Sequence, residues 1–239
     1  MTPTVLLFDI DGTLLHGGGA GRRAVVRVFG EHFARREVFD DVRFHGMTDR
    51  AIVRGGLLRA GLPADEAAID AICAAYLAAL AEEVPRAADF RVMPGAAALL
   101  DALSGRTGLA IGLGTGNLRE GARIKLERAG LYHHFAFGGF GCDAEDRAEL
   151  LRIGAERGAR HVGRPLADCR LIVIGDTPKD VAGAQAIGAR SLTVETSGFR
   201  AADLLAAGAR TVASGFLAGP CASASQPRHQ RVTRKARSP

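Results

Sequence analysis

Two aspartates follow a short apolar run near the beginning of the sequence. Val5 to Phe8 has the composition of a strand buried in a parallel sheet, and Asp9, Asp11 and Gly12 come directly after it. Gly12 allows the chain to bend here, which would bring the two carboxylates together. Carboxylates held close together repel each other, and a divalent cation is the usual means of relieving that repulsion. The pattern therefore predicts a functional site at the end of the first strand.

A second pair of aspartates follows a later apolar run. Leu171 to Ile174 is again typical of a buried strand, and Asp176, Pro178 and Asp180 come after it. Pro178 suits the first turn of a helix, so Asp180 would lie in that turn, back towards Asp176. Helix capping accounts for one of these acids more readily than for two.

The two acidic pairs are expected to meet. In an open parallel sheet the carboxyl ends of neighbouring strands line one crevice, which would gather Asp9, Asp11, Asp176 and Asp180. Four carboxylates make an oxygen-only donor set, and such a set favours magnesium. The sequence therefore predicts a Mg²⁺ site formed by these four residues.

A glycine-rich turn lies between the acidic pairs. Residues 109–114 form another strand-like run, and Thr115, Gly116 and Asn117 follow before a helical pattern begins at Leu118. A dinucleotide fingerprint would require glycine at the position of Asn117. Two interpretations remain open. One is a tight strand-to-helix turn, and the other is a phosphate cradle that uses the Thr115 hydroxyl and backbone N–H groups.

Taken together, these motifs resemble those of the haloacid dehalogenase-like hydrolase superfamily. Its first motif, Asp-x-Asp-Gly-Thr, corresponds to residues 9–13, and its fourth, Gly-Asp-x-x-x-Asp, corresponds to residues 175–180. Its second motif, a threonine at the end of a core strand, corresponds to Thr115. The resemblance covers residues from about 5 to 215, and the arrangement looks like that of phosphoglycolate phosphatases.

The third motif of the superfamily is altered in this sequence. Its usual lysine is absent from residues 140–147, and Arg147 is the candidate replacement. A guanidinium group can also neutralise phosphate and the Asp9 carboxylate. Lys125, in the helix after Thr115, is a weaker rival for this role. The alternative is that Arg147 is an ordinary solvated helix residue.

The resemblance implies a mechanism of phosphoryl transfer. Asp9 would attack phosphorus and form an aspartyl-phosphate, while Asp11 would protonate the leaving oxygen and then activate water. The dehalogenase branch lacks the second aspartate, since a halide leaves without a proton. Mg²⁺ would be held by the Asp9 carboxylate, the Asp11 backbone carbonyl and Asp176. Asp180 would support them from outside. Residues expected to bind substrate are Thr115, Gly116, Asn117, Arg147 and, from the region between the first two core strands, Arg50.

The chain between the first two core strands is too long for a loop. Residues 16–93 contain three helical stripes and resemble the inserted all-helical cap of the superfamily, with Gly17–Gly19 and residues 84–95 as hinges. Residues 1–15 and 94–218 alternate strand and helix, and residues 135–139 are one of the candidate strands. This alternation predicts an α/β catalytic core with a doubly wound parallel, Rossmann-like sheet.

The positive charge is concentrated at the C-terminal end. The 239-residue chain has a net charge of +5, and residues 219–239 carry five basic and no acidic side chains. Their composition cannot build a core, so the sequence predicts a disordered basic tail. Because the tail has no aromatic side chains for stacking on bases, solubilising disorder is favoured over a nucleic-acid-binding arm.

Composition favours a cytoplasmic enzyme. The four cysteines are scattered without metal-binding spacing, as in a reducing compartment. The N-terminus lacks the pattern of a signal peptide, and no apolar stretch approaches the ~20 residues needed to cross a bilayer. The sequence does not fix the oligomeric state.

The predicted substrate is a small phosphorylated metabolite, because a cap of this size would exclude polymers, and phosphoglycolate is the leading candidate. Two alternatives remain. A phosphosugar mutase similar to β-phosphoglucomutase would share the catalytic residues and differ in the cap. A catalytically inactive regulatory homologue is suggested by the missing third-motif lysine alone.

Overall fold

The secondary structure alternates strand and helix around a helical insert. A computed structural model describes residues 2–196, 198–216 and 220–223. The strands are β1 (Thr4–Phe8), β2 (Leu15–Gly17), β3 (Phe90–Val92), β4 (Leu109–Gly114), β5 (Gly138–Gly139), β6 (Arg170–Gly175), β7 (Arg190–Val194), β8 (Thr211–Ala213) and β9 (Pro220–Ser223). The helices are α1 (Ala20–Phe33), α2 (Asp49–Arg59), α3 (Glu66–Arg86), α4 (Ala96–Leu103), α5 (Arg119–Arg128), α6 (Arg147–His161), α7 (Pro178–Ala186) and α8 (Ala201–Ala206).

The large sheet has seven strands in the order β5-β4-β1-β6-β7-β8-β9. Its neighbouring strands run parallel except for β8 and β9. Alternate residues of β1 face opposite apolar clusters, with Leu6 and Phe8 on the side of α4 and α5, and Val5 and Leu7 on the side of α6 and α7. The predicted doubly wound parallel sheet is therefore confirmed.

The register of the central strands positions the site. Phe8, near the end of β1, lies level with Leu113 of β4 on one side and Ile174 of β6 on the other. The residues that follow these three strands consequently meet at one edge of the sheet, where the sequence predicts the acidic site.

The insert is helical, as predicted. Helices α1, α2 and α3 surround an apolar cluster of their own, in which Phe29, Leu57 and Leu80 are at most 2% exposed. The connection to the sheet differs from two separate hinge loops, because β2 and β3 pair as an antiparallel ribbon, with Leu15 opposite Val92. Strands of three residues are too short to produce a recognisable pattern in the sequence.

Two other segments differ from expectation. The strand predicted over residues 135–139 is reduced to Gly138 and Gly139, where the backbone passes close to α6; a side chain on Gly139 would collide with the Leu150 carbonyl oxygen. Residues 220–223, predicted to begin the disordered tail, pair with β8, whose free edge offers unpaired backbone groups. Residues 224–239 of that tail lie outside the described residues. No helix of the described part is long and apolar enough to cross a membrane.

Candidate active site

Three of the four predicted metal-ligand carboxylates form a buried cluster at the edge of the sheet. Asp9 follows β1, Asp176 follows β6 and Asp180 lies in the first turn of α7, and these residues are 5%, 1% and 0% exposed. One oxygen from each lies within 4.8 Å of the others. The Asp11 side chain is directed elsewhere, so only its backbone carbonyl is available for the role that the resemblance implies.

Asp180 is both a helix-capping residue and a member of this cluster. Its Oδ2 accepts hydrogen bonds from the Thr177 N–H at 3.0 Å and from the Thr177 hydroxyl at 2.7 Å, which completes a capping box at the start of α7. Thr13 Oγ1 donates to Asp176 Oδ1 at 2.6 Å. The first and fourth motifs are therefore joined directly by side chains.

Arg147 lies inside the cluster rather than on the surface. It is the first residue of α6, and its side chain is 10% exposed. Its Nη2 lies 3.3 Å from Asp9 Oδ1 and donates to Asp180 Oδ1. The solvated alternative is thus wrong, since the guanidinium contacts two of the three clustered carboxylates.

Lys125 is a second buried cation, and the structure places it beside Asp11. Its Nζ donates to Asp11 Oδ2 at 2.6 Å and to Asn117 Oδ1 at 2.7 Å, and the residue is 5% exposed. The sequence analysis considered Lys125 only as a rival for the Arg147 role. Its spacing from Ala122 and Leu126, both buried in α5, was the signal that this lysine faces inwards.

The turn after β4 has features of both interpretations left open by the sequence. It connects a strand to a helix, and the Thr115 N–H is used to bond the Gly139 carbonyl oxygen at 3.0 Å. Asn117 Nδ2 donates to Thr115 Oγ1 at 2.8 Å and to Asp11 Oδ2 at 2.9 Å. Because the Thr115 oxygen accepts from Asn117, its own hydrogen remains available to a substrate oxygen.

Asp49, at the start of α2, links the helical insert to this turn and was not predicted. Its N–H donates to the Gly116 carbonyl at 2.8 Å, and its Oδ2 accepts from the Leu118 N–H at 2.8 Å. An acid in the first turn of a helix has an ordinary local explanation, so nothing in the sequence singles out Asp49. Arg50, predicted to bind substrate, instead points to Glu66 and Asp70 and is not brought to the site.

A cavity of about 750 Å³ lies between the sheet and the insert. Asp9, Asp11 and Thr115 line its floor, on the side of the sheet, and Asp49 and Tyr76 line it from the insert. The acidic site therefore opens into a cavity that the insert partly encloses.

Burial and neighbouring charges give the aspartates different proton affinities. Burial raises the pKa of Asp9 to about 6, although Arg147 opposes the shift. Burial on its own would raise the pKa of Asp11 too. The positive charge of Lys125 and the hydrogen bonds from Lys125 and Asn117 outweigh burial, so the pKa of Asp11 lies below its usual value. Burial raises the pKa of Asp49 to about 6 against the influence of Lys125.

The donor chemistry of the cluster fits a hard divalent cation. Asp9, Asp176 and Asp180 offer only carboxylate oxygens, which suit Mg²⁺ and do not suit softer metals. Asp9 and Asp180 share one guanidinium, that of Arg147. A bound cation would add positive charge beside these carboxylates.

Comparisons with known proteins agree with this geometry. The sequence profile of the haloacid dehalogenase-like hydrolase family matches residues 3–188. Similar solved structures include a hydrolase from Pseudomonas syringae, with 22% identity, a TM-score of 0.63 and coverage of 90% of this chain and 95% of that one. A mutant of CbbY from Rhodobacter sphaeroides in complex with xylulose-1,5-bisphosphate has 16% identity, a TM-score of 0.64 and the same coverages.

A third similar structure is a candidate β-phosphoglucomutase from Bacteroides vulgatus. It has 22% identity and a TM-score of 0.59, with 90% of this chain and 84% of that chain covered. No curated protein matches the sequence. At these identities the structural likenesses establish the fold alone.

Proposed function

Because the chain belongs to the haloacid dehalogenase-like hydrolase family, we propose that it is a magnesium-dependent phosphatase acting on a small phosphomonoester. The observation that carries the proposal is the pairing of Asp9 and Asp11 at one cavity floor with different cations beside them. Two carboxylates with separate surroundings can serve as nucleophile and as acid–base group.

Asp9 is the proposed nucleophile. Its carboxylate oxygen forms a bond to phosphorus while the ester P–O bond breaks, which gives an aspartyl-phosphate and a leaving alkoxide. Arg147, in contact with Asp9 and buried, and the Thr115 hydroxyl would hold the oxygens over which negative charge spreads.

Asp11 is the proposed acid–base group. In its acid form it gives a proton to the leaving oxygen. In its ionised form it then takes a proton from water as that water attacks phosphorus and the bond to Asp9 breaks. The Asp11 side chain lines the cavity and is 43% exposed, which supports access to both the leaving group and water.

Asp9, Asp176 and the Asp11 backbone carbonyl would hold Mg²⁺. The ion would supply positive charge that offsets the carboxylates and the substrate phosphate. We assign Asp180 to outer support, because Arg147 and Thr177 already use both of its oxygens.

The cavity of about 750 Å³ between the sheet and the insert supports a small phosphorylated metabolite as the substrate, with phosphoglycolate as the leading candidate. A phosphosugar mutase remains the second candidate, since a candidate β-phosphoglucomutase shares the fold. Product analysis separates the two: a mutase returns an isomer and a phosphatase releases inorganic phosphate.

The test is phosphate release from a panel of small phosphomonoesters, with Mg²⁺ and with EDTA. We expect Mg²⁺-dependent release that Asp9→Asn abolishes and that Asp168→Asn, a change at an exposed aspartate, leaves intact. Absence of release from every ester, or full activity of Asp9→Asn, would contradict the proposal. Isomer formation without phosphate would favour the mutase.

A further inference from the structure

Each of the two aspartates at the cavity floor contacts a different cation, and one of these cations, Lys125, has no role in the mechanism above. Arg147 contacts Asp9, whereas Lys125 contacts Asp11. We propose that Lys125 is a positioning residue that holds the Asp11 carboxylate so that one defined oxygen carries the transferred proton. This inference rests on the proposed phosphatase function.

The hydrogen bonds identify that oxygen. Lys125 Nζ and Asn117 Nδ2 both donate to Asp11 Oδ2, at 2.6 and 2.9 Å. Among the described residues no donor reaches Asp11 Oδ1. Because Oδ2 is occupied by two donors, Oδ1 is the atom that delivers the proton to the leaving oxygen and receives it from water. Lys125 keeps its own protons throughout.

The surroundings of Lys125 show that its ammonium group is built into the site. The residue is 5% exposed, and Asn117 Oδ1 is a second acceptor at 2.7 Å. A buried ammonium without such partners would be strongly unfavourable. A side chain added at Gly21 of α1 would come within 3.9 Å of Nζ and 3.4 Å of the Tyr76 hydroxyl, so the insert closes over this group.

A purely structural role is the competing explanation, since Lys125 also balances buried negative charge. The two explanations differ in what they predict for catalysis. A positioning residue affects steps that need the Asp11 proton and spares steps that do not. A structural residue affects all steps alike.

The first experiment compares Lys125→Met with the wild type on two esters. On an alkyl phosphate, whose leaving oxygen needs a proton, we expect kcat to fall about 10- to 100-fold with KM changed less than about twofold. On p-nitrophenyl phosphate, whose leaving group departs without a proton, the initial burst of nitrophenolate should persist while the later turnover slows. Equal losses in burst and turnover would overturn the proposal.

Arg123→Met is the matched control. It removes a cation from the same helix, but one that is 44% exposed and paired with Glu120 and Glu127 on the surface of that helix. We expect wild-type kinetics on both esters. If Lys125→Met does not fold, Lys125→Arg provides the same comparison, because it keeps the charge but changes the position of the donors.

The decisive measurement places Lys125→Met in an Asp11→Asn background. If Lys125 acts through Asp11, the double variant should turn over as slowly as Asp11→Asn alone. A further loss equal to that seen in the wild-type background would show that Lys125 acts on the substrate or on the fold, and would refute the inference.

A parallel cycle by urea unfolding separates this inference from the proposed function. Non-additive stabilities of the two single variants and the double variant would establish the Lys125–Asp11 contact whether or not an ester is hydrolysed. Additive stabilities would remove the contact on which the inference depends. If the wild type hydrolyses no ester but the stabilities are non-additive, the proposed phosphatase function is rejected while the contact is established. The contact would then have no catalytic role.

Discussion

Arg147→Met tests whether one guanidinium holds the acidic cluster together. At 3.3 Å and an effective dielectric constant of about 20, its attraction to Asp9 is about 5 kcal/mol before desolvation. A second contact joins it to Asp180, which is 0% exposed. Removing one partner of a buried ion pair costs about 3–5 kcal/mol, because the remaining charges stay buried without compensation. We therefore expect Tm in EDTA to fall by about 6–20 °C.

The assay is thermal and urea unfolding of the wild type and Arg147→Met, each in EDTA and in Mg²⁺. Mg²⁺ should restore part of the lost stability, because it replaces the missing positive charge and binds only the folded protein. Arg152→Met is the control, since Arg152 lies on the same helix but is 46% exposed and should contribute less than about 1 kcal/mol. An Arg147→Met variant as stable as Arg152→Met in EDTA would refute the reasoning.

Two further predictions concern the insert. A side chain at Gly116 would meet the Met47 carbonyl oxygen at 2.3 Å, so Gly116→Ala should displace the insert. We expect kcat/KM to fall about 10- to 100-fold while the circular dichroism spectrum stays unchanged. Unchanged kinetics would contradict this. Burial raises the pKa of Asp49 from 3.8 to about 6, so the folded protein retains a proton that the unfolded chain has released, and stability falls as pH rises through that window. Between pH 4 and 7, Asp49→Asn should reduce the pH-dependent loss of unfolding free energy by up to about 3 kcal/mol, as measured by urea unfolding. An unchanged pH dependence of stability would reject the assignment.

The predictable part of the site consists of residues whose position follows from a strand end. Asp9 and Asp176 each come after an apolar run, and the parallel sheet brings such ends together without further information. Asp180 follows from the helix start at Pro178. For these residues, local pattern and the general geometry of an open sheet are sufficient.

The unpredicted part depends on contacts between distant segments. Lys125 reaches Asp11 across 114 positions of sequence, and Asp49 reaches Leu118 across 69. The helical spacing of Lys125 indicates that it faces inwards but does not identify Asp11 as its partner. An acid at a helix start, as at Asp49, has an ordinary local explanation. The same limitation explains Arg50, whose closeness in sequence to Asp49 did not indicate that its side chain would turn towards Glu66.

The separation of the two cations follows from the layers of the fold. Lys125 lies on α5, whose Leu126 packs on one face of the sheet, and Arg147 lies on α6, whose Leu150 packs on the other. Asp9 and Asp11 are only two positions apart, yet each is approached from a different layer. Asp9, more deeply buried, keeps a raised pKa of about 6, while Lys125 and Asn117 lower the pKa of Asp11. The different proton affinities of these neighbours are thus set mainly by the packing of helices on both sides of one strand.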